Sequence, residues 1–190
     1  MTSQWVYLAL LTLVALERLV ELTISRRNVA WAKVRGGVEV GQGHFAAMKL
    51  LHGSFLLGCG VEVVFAPGVF STPLFSAMLM LVLGAQALRY WTISTLGKRW
   101  NVQVIVLPGQ PAVTAGPFRL LRHPNYLAVI VEGFALPLMH GAWITALSFS
   151  LLNAWLLVVR IRCEERALAS ECDYEAQLGA KRRFMPRLEP

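Results

Sequence analysis

Two short polar stretches in this strongly apolar chain carry side chains suited to ligand chemistry. The first, Gly116–Leu127, reads GPFRLLRHPNYL and places Arg122 and His123 directly before Pro124. Proline suits the first turn of a helix, and a helix N-terminus offers free N–H groups and a positive dipole end that attract anions. The stretch is interpreted either as a site for a carboxylate or phosphate, or as a basic membrane-surface anchor with Tyr126 at the interface. The residues alone favour neither.

The second stretch, Arg160–Leu168, reads RIRCEERAL. Arg160 and Glu164 are four residues apart and share a helix face, whereas Arg162 and Glu165 are expected to point elsewhere. A simple surface ion pair would contribute little to stability. Because this helix continues from the hairpin that begins at RHPNY, we expect the two polar stretches to meet at one membrane face. An anion site opposite a Glu–Arg pair suits a zwitterionic or mixed-charge ligand.

The rest of the chain has the composition of a membrane protein. Of its 190 residues 56% are hydrophobic and only 15% are charged, and the mean hydropathy is +0.54. A spanning helix needs about 20 mostly apolar residues. Five segments are candidates, at 4–24, 45–66, 73–96, 126–139 and 142–160. The last two are short and meet at MHGAW, so we expect a tight helical hairpin, either spanning or re-entrant.

The predicted fold is therefore an all-α integral membrane bundle of about five transmembrane helices with one polar segment at the membrane surface. We treat residues 1–190 as a single domain, in which 1–96 form a three-span N-terminal part and 97–190 form the part that carries both polar stretches. The connection 97–126 is too rich in glycine and proline for a long helix. Its VQVIVLP run is expected to be a short extended piece.

The distribution of charge predicts the orientation in the membrane. The net charge is +7, and the lysines and arginines of the connections concentrate in 25–44, in 97–125 and after Leu157, while the connections APGVFSTP and MHGA carry no charge. Basic residues in short loops favour the cytoplasmic side, and five spans place all three basic segments there. The basic residues therefore indicate the orientation in the membrane and do not indicate nucleic-acid binding. Contact with anionic lipid head groups is an expected by-product.

Ionisable side chains also interrupt the apolar segments. They are Glu17, Arg18, Glu21, Lys49, His52, Glu62, Arg89 and Glu132. Such groups are costly in a bilayer and normally face the bundle interior or a wet cavity. They are expected to form interhelical pairs, for example Arg18 or Arg89 with Glu62 or Glu132. Together they predict a polar interior that opens to the cytoplasmic side.

The cysteines give no sign of a metal site. Cys59, Cys163 and Cys172 are scattered, without a C-x-x-C pair. Such a pattern indicates neither a disulfide framework nor a zinc site. A chance disulfide or a reactive thiol stays open, but we interpret all three as small apolar fillers and expect no metal.

The combination GPF…LRHPNYL followed downstream by R…EERAL resembles the integral-membrane isoprenylcysteine carboxyl methyltransferase family. The matching motifs cover about 100–186 and end in FMP. In the N-terminal half, RLVELTISRRNVAWAKVRGGVEVGQGHF is similar to the bacterial branch encoded beside type III polyketide synthases. The resemblance implies an S-adenosylmethionine-dependent O-methyltransferase of the bacterial inner membrane, with its active site facing the cytoplasm. The implied acceptor is a long-chain alkylpyrone, a related polyketide lipid such as an alkylresorcinol, or an isoprenylcysteine carboxylate. The oligomeric state stays open.

The resemblance also implies roles for individual residues. Those matching cofactor contacts are Gln103, Gln110, Pro111, Ala112, Val113, Phe118, His123, Pro124, Asn125, Tyr126 and Glu164. Arg160 matches the arginine proposed to hold the methyl acceptor. Phe118 stands where the family usually has tyrosine, which removes a hydroxyl but leaves a ring for stacking.

The chemistry agrees with these implied roles. S-adenosylmethionine has a carboxylate that suits His123 and a helix N-terminus, and an ammonium and ribose that suit Glu164. Methyl transfer is an in-line displacement, for which an enzyme mainly aligns the reactants and excludes water. A carboxylate or acidic enol is already anionic near neutral pH and needs no strong base. Arg160 is therefore expected to orient the acceptor.

Three other classes of protein remain as alternatives. A small transporter is expected to show inverted repeats and helices broken at mid-membrane, and the sequence has no internal repeat. A non-catalytic scaffold has no need of Gln103, His123 and Glu164 together. A membrane reductase of similar architecture would require a nicotinamide. Binding of S-adenosylmethionine separates the methyltransferase from the transporter and the scaffold, and a nicotinamide requirement would indicate the reductase.

Overall fold

The computed structural model describes residues 2–66 and 68–185. Arg187 of the predicted basic tail and the final proline of FMP lie outside the described residues. The helices are α1 (Thr2–Lys33), α2 (Gln42–Phe65), α3 (Thr72–Leu96), α4 (Pro124–Leu138), α5 (Trp143–Glu171) and α6 (Tyr174–Leu178), and the strands are β1 (Val38–Val40) and β2 (Val104–Val106). The predicted all-α membrane bundle is confirmed, with five main helices over the five predicted segments.

Three of these helices, α2, α3 and α5, are long and apolar enough to cross a membrane, and α4 is an apolar helix of 15 residues. The predicted hairpin is present, because only residues 139–142 separate α4 from α5. The expectation that the last segment is short was wrong. Helix α5 has 29 residues, since its polar final turns continue the helix beyond the apolar run that the sequence marks.

The bundle has an apolar core and an apolar outer surface. Its core buries Tyr7, Phe55, Cys59, Leu136 and Phe149 among others, and the Tyr7 hydroxyl donates to the Leu136 carbonyl at 3.0 Å, which ties α1 to α4. Leucines that are more than half exposed cover the outer surface, among them Leu13, Leu57, Leu83, Leu147 and Leu151. An apolar outer surface of this kind is suited to lipid.

Glu62 caps α5 at the end of the bundle where α2 ends and α5 begins. Helix α5 has no side-chain cap of its own. The Glu62 carboxylate accepts the backbone N–H of Ile144 at 2.9 Å, and the backbone N–H and hydroxyl of Thr145 at 2.7 Å each. A carboxylate at a helix N-terminus satisfies free donors and complements the dipole. The expected pairing of Glu62 with Arg18 or Arg89 was therefore wrong.

The opposite end, called the basic end, contains 25–44, 97–123 and 161–185. There β1 and β2 pair antiparallel, with Val38 opposite Val106 and Val40 opposite Val104. The extended VQVIVLP piece is confirmed, whereas its partner strand was not predicted. This pairing fixes the 97–126 connection against the connection between α1 and α2.

The C-terminal tail folds back onto the segment before α4. The backbone N–H of Arg122 donates to the Arg182 carbonyl at 3.1 Å, and its guanidinium donates to the carbonyls of Lys181 and Gly179. Lys181 in turn donates to the Phe118 carbonyl at 2.7 Å. Arg122 therefore holds the tail, instead of standing free as part of an anion site.

Candidate functional site

A network of charged side chains lies inside the bundle. Arg89 contacts the Glu132 carboxylate, and both side chains are less than a tenth exposed. Arg18 reaches Glu21 at 2.7 Å and Glu132 at 3.4 Å. The predicted interhelical pairs of Arg18 and Arg89 are confirmed for Glu132. A charged pair inside an apolar bundle needs this mutual compensation, because each ion alone carries a large desolvation cost.

Tyr126 joins the two polar stretches. The buried Arg160 donates from Nε to the Tyr126 hydroxyl at 2.7 Å, and that hydroxyl donates to Glu164. Arg160 also donates from Nη2 to the Val102 carbonyl at 2.5 Å. The arginine is thus held by α4 and by the 97–126 connection. The expected meeting of Arg160 and Glu164 with the RHPNY segment is present at the basic end.

Glu165 was misplaced by the sequence interpretation. Its carboxylate accepts from His123 Nε2 at 3.0 Å and from Arg183 Nε at 2.9 Å. The expectation that Glu165 points away was wrong, because the start of α4 and the returning tail together cover the α5 face that carries it. The His123 ring also stacks on the Tyr126 ring, with centroids 5.3 Å apart.

Tyr174 is a site residue that the sequence interpretation missed. It is buried on α6, and its hydroxyl lies 3.5 Å from His123 Nε2. Burial raises the pKa of the Tyr174 phenol above its ordinary value of about 10, so the phenol stays protonated at neutral pH. Nothing in the sequence showed that this tail returns to α4, so the sequence carried no signal for Tyr174.

A cavity at the basic end, called the outer cavity, gathers most of the cofactor residues that the resemblance implies. Its lining includes Gln103, Ala112, Val113, Phe118, His123, Pro124, Asn125, Tyr126, Arg160 and Glu164. It encloses about 150 Å³, below the ~300–1,000 Å³ usual for ligand pockets. Tyr174 and Leu178 of α6 form part of its wall. A nucleoside-sized ligand therefore requires this wall to move outward.

Three of the residues implied by the resemblance are placed differently. Gln110 and Pro111 are exposed and do not line the outer cavity, and the Pro111 carbonyl accepts from Arg99 at 2.9 Å. Gln103 does line the cavity, but its amide donates to Glu39 at 2.6 Å. Roles in cofactor binding for these residues stay predictions.

Three buried polar atoms without hydrogen-bond partners belong to residues in the wall of the outer cavity. Trp100 Nε1, Asn101 Oδ1 and Asn125 Oδ1 are buried and have no hydrogen-bond partner among residues 2–66 and 68–185. All three residues line the cavity. Buried polar atoms without partners are costly and rare. One donor and two acceptors are therefore available here to a bound ligand.

A second cavity, called the inner cavity, lies in the bundle and encloses about 420 Å³. Its apolar lining includes Val14, Leu22, Phe55, Val129, Phe149 and Leu157, and its polar lining includes Arg18, Glu21, Lys49, His52, Arg89 and Glu132. The residues that line both cavities are Trp100, Asn101, Asn125, Tyr126 and Arg160. These five form the shared wall between a cavity of mixed polar and apolar lining and a largely apolar one.

Comparison with known proteins identifies relatives of the chain. The model of the isoprenylcysteine carboxyl methyltransferase (ICMT) family matches residues 78–170, a range that contains both polar stretches. The uncharacterized protein YpbQ of Bacillus subtilis is 35% identical over 164 residues, which cover 86% of this chain and 95% of YpbQ. An uncharacterized protein of Haemophilus influenzae is 28% identical over 153 residues, or 80% of this chain and 88% of that protein.

Proposed function

We propose that this chain, which belongs to the isoprenylcysteine carboxyl methyltransferase family, uses S-adenosylmethionine to methylate an oxygen of a lipophilic acceptor. The observation that carries the proposal is the shared wall of Trp100, Asn101, Asn125, Tyr126 and Arg160. Methyl transfer needs two ligands in contact, and a polar cofactor and an apolar lipid require different surroundings. Two unlike cavities that share one wall meet this need.

The donor set of the outer cavity fits S-adenosylmethionine. The Glu164 carboxylate suits the ammonium, and the unsatisfied atoms of Trp100, Asn101 and Asn125 suit hydroxyl and amino groups. His123 already donates from Nε2 to Glu165, so a bond to the cofactor carboxylate has to be donated by Nδ1–H, which requires the doubly protonated ring. When bound, S-adenosylmethionine supplies an electrophilic methyl group.

Arg160 suits an acceptor with an anionic or strongly polar oxygen. It is buried, and the contact described for its Nη1 is the Met48 sulfur at 3.4 Å, a weak acceptor. That nitrogen can therefore donate to an acceptor at the shared wall. Arg160 positions the acceptor and does not activate it, because a cation on the reacting oxygen lowers its nucleophilicity.

The inner cavity suits a lipid with a small polar head. Its apolar walls take the chain, and the Arg18–Glu21–Arg89–Glu132 network offers a second polar contact at a distance from Arg160. This arrangement favours a ring with two polar substituents, such as a long-chain alkylpyrone or alkylresorcinol, over an isoprenylcysteine carboxylate. The lipid enters from the bilayer between helices.

We place the basic end at the cytoplasmic face of a bacterial inner membrane. The support is the concentration of lysine and arginine in the connections at that end, following the positive-inside rule. This orientation gives the water-soluble cofactor access to the outer cavity from the cytosol. The movable wall of α6 and the tail then excludes water during transfer.

Transfer of a radiolabelled methyl group tests the proposal. The detergent-purified protein is incubated with labelled S-adenosylmethionine and either a long-chain alkylpyrone or farnesylcysteine. We expect label in the lipid fraction, and a loss of ~100-fold or more in Arg160→Met, as is typical when a positioning contact is removed. Arg166→Met, at an exposed position of the same helix, should stay near wild type. Absence of label with a folded wild type contradicts the proposal.

A further inference from the structure

His52 is a polar side chain of the inner cavity whose tautomer is set by its surroundings. It lies on α2, and its Nδ1 is 2.9 Å from the Met48 carbonyl. A carbonyl oxygen only accepts hydrogen bonds, so Nδ1 must carry the proton. In the neutral ring the other nitrogen, Nε2, is then unprotonated and presents a lone pair.

The ring is held in place by its neighbours. It packs edge-on against Phe149, with ring centroids 5.4 Å apart and planes at 88°. Nε2 has no hydrogen-bond partner in the described part of the chain. A fixed ring with an unused lone pair is suited to accept a proton from a bound molecule.

His52 lies close to the wall that the two cavities share. It lines the inner cavity together with Tyr126 and Arg160. Met48, four residues earlier, touches Arg160 Nη1 through its sulfur at 3.4 Å. Four residues are about one helical turn, or ~6 Å along the axis. An acceptor oxygen placed at Arg160 is therefore about one helical turn from His52, a separation that one bridging water can span.

We propose that His52 is the general base for a hydroxyl acceptor, a proposal that rests on the proposed function. The acceptor O–H bond breaks and its proton passes to His52 Nε2. The same oxygen forms the bond to the methyl carbon, the carbon–sulfur bond breaks, and its electron pair stays on sulfur. The sulfonium charge is thus replaced by the charge of the imidazolium, which later releases its proton to solvent. A carboxylate acceptor has no proton to lose and does not need this step.

Charged or titratable groups on α2 and on every neighbouring helix line the same cavity as His52. They are Arg18 and Glu21 on α1, Lys49 on α2, Arg89 on α3, Tyr126 and Glu132 on α4, and Arg160 on α5. A pH profile of the wild type alone would combine their contributions with that of His52. The test therefore compares a His52 variant with the wild type, and a hydroxyl acceptor with a carboxylate acceptor.

The test uses His52→Asn, since the asparagine N–H can keep the bond to the Met48 carbonyl while the basic nitrogen is lost. Pentadecylresorcinol supplies a phenolic hydroxyl, and palmitate supplies an ionised carboxylate on a similar chain. We expect the methylation rate to fall ~10²–10⁴-fold with pentadecylresorcinol and to change little with palmitate.

The wild-type rate with pentadecylresorcinol should fall at acidic pH, where His52 is protonated. This acidic decrease in the pH profile should be absent in the variant. His44→Asn, on the same helix but outside the inner cavity, is the matched control.

A second measurement does not depend on activity. Nitrogen-15 NMR of labelled histidine, assigned with His52→Asn, should show Nδ1 protonated and Nε2 free at neutral pH. The opposite tautomer would overturn the assignment, as would an equal loss with both acceptors, which indicates a structural role. Transfer to palmitate alone would overturn the role of His52 and leave the methyltransferase proposal intact. Transfer to neither acceptor would overturn both.

Discussion

The Tyr126 hydroxyl accepts a hydrogen bond of 2.7 Å from Arg160 Nε, although the two residues are 34 positions apart. The same hydroxyl donates to Glu164, one turn further along α5. Tyr126 therefore links a cation and a carboxylate that the helix spacing alone already places on one face. Since Tyr126 and Arg160 line both cavities, this contact lies where cofactor and acceptor are proposed to meet.

Tyr126→Phe should weaken both stability and cofactor binding. The change removes the acceptor of the buried Arg160 Nε, and an unsatisfied buried donor costs about 1–3 kcal/mol. The same change removes the hydrogen bond that orients the Glu164 carboxylate. The affinity for S-adenosylmethionine should therefore fall by about tenfold or more, equal to about 1.4 kcal/mol. Thermal unfolding in detergent and calorimetry measure the two effects. Tyr90→Phe is the control, because Tyr90 also donates to a glutamate, Glu17, but is half exposed. Equal effects in both variants would refute a special role for Tyr126.

Glu132→Leu should destabilise the bundle by about 3–5 kcal/mol, because it leaves Arg89 without its closest carboxylate in an apolar interior. Combining it with Arg89→Met should recover much of that loss, since the uncompensated cation is removed as well. Unfolding of detergent-solubilised protein by added SDS measures the difference. Lys33→Ala, which breaks the pair between the exposed Lys33 and Glu39, should cost less than about 1 kcal/mol. A double variant less stable than Glu132→Leu would contradict the pairing.

Glu62→Gln should lower the free energy of unfolding by about 1–2 kcal/mol. The amide offers one acceptor oxygen in place of two, and it removes a negative charge from the N-terminus of α5. Unfolding in SDS is again the measurement. The control is Glu171→Gln at the exposed C-terminal end of the same helix, where losing a negative charge is neutral or slightly stabilising. If both variants lose the same stability, Glu62 does not cap α5.

Arg122→Ala should release the C-terminal tail. The guanidinium bonds to the carbonyls of Lys181 and Gly179 are lost, so trypsin should cut near residues 181–183 several-fold faster than in the wild type. Because α6 forms a wall of the outer cavity, S-adenosylmethionine should slow that cleavage in the wild type. Arg119→Ala, at an exposed position before α4, serves as the control. Cleavage unchanged by Arg122→Ala would show that other contacts hold the tail.

Helix spacing and hydropathy were sufficient to predict much of the fold and part of the site. The five apolar runs predicted the five main helices, and the interval from Arg160 to Glu164 predicted their common face. The proline of RHPNY predicted the start of α4. These features depend on local sequence, where the period of the helix decides which side chains are neighbours.

Contacts between residues distant in the chain could not be predicted from helix spacing and hydropathy. Strands β1 and β2 have three residues each and pair across more than sixty positions, so the extended VQVIVLP piece was predicted from the sequence but its pairing with β1 was not. The contact of Glu165 with His123 depends on how the start of α4 lies on α5. The return of the tail depends on carbonyl acceptors at Gly179 and Lys181, which side-chain patterns do not reveal. Each of these is decided by tertiary packing.

Calorimetric titration of S-adenosylmethionine into the detergent-purified protein tests the central claim most directly. We expect saturable binding by the wild type and by Glu171→Gln, and a loss of at least about tenfold in affinity in Glu164→Gln and His123→Ala, since a buried charge-assisted contact contributes about 1.5–3 kcal/mol. Circular dichroism confirms that each variant is folded. Binding that is unaffected by Glu164→Gln and His123→Ala would place the cofactor elsewhere. No binding by a folded wild type would contradict the account of the outer cavity altogether.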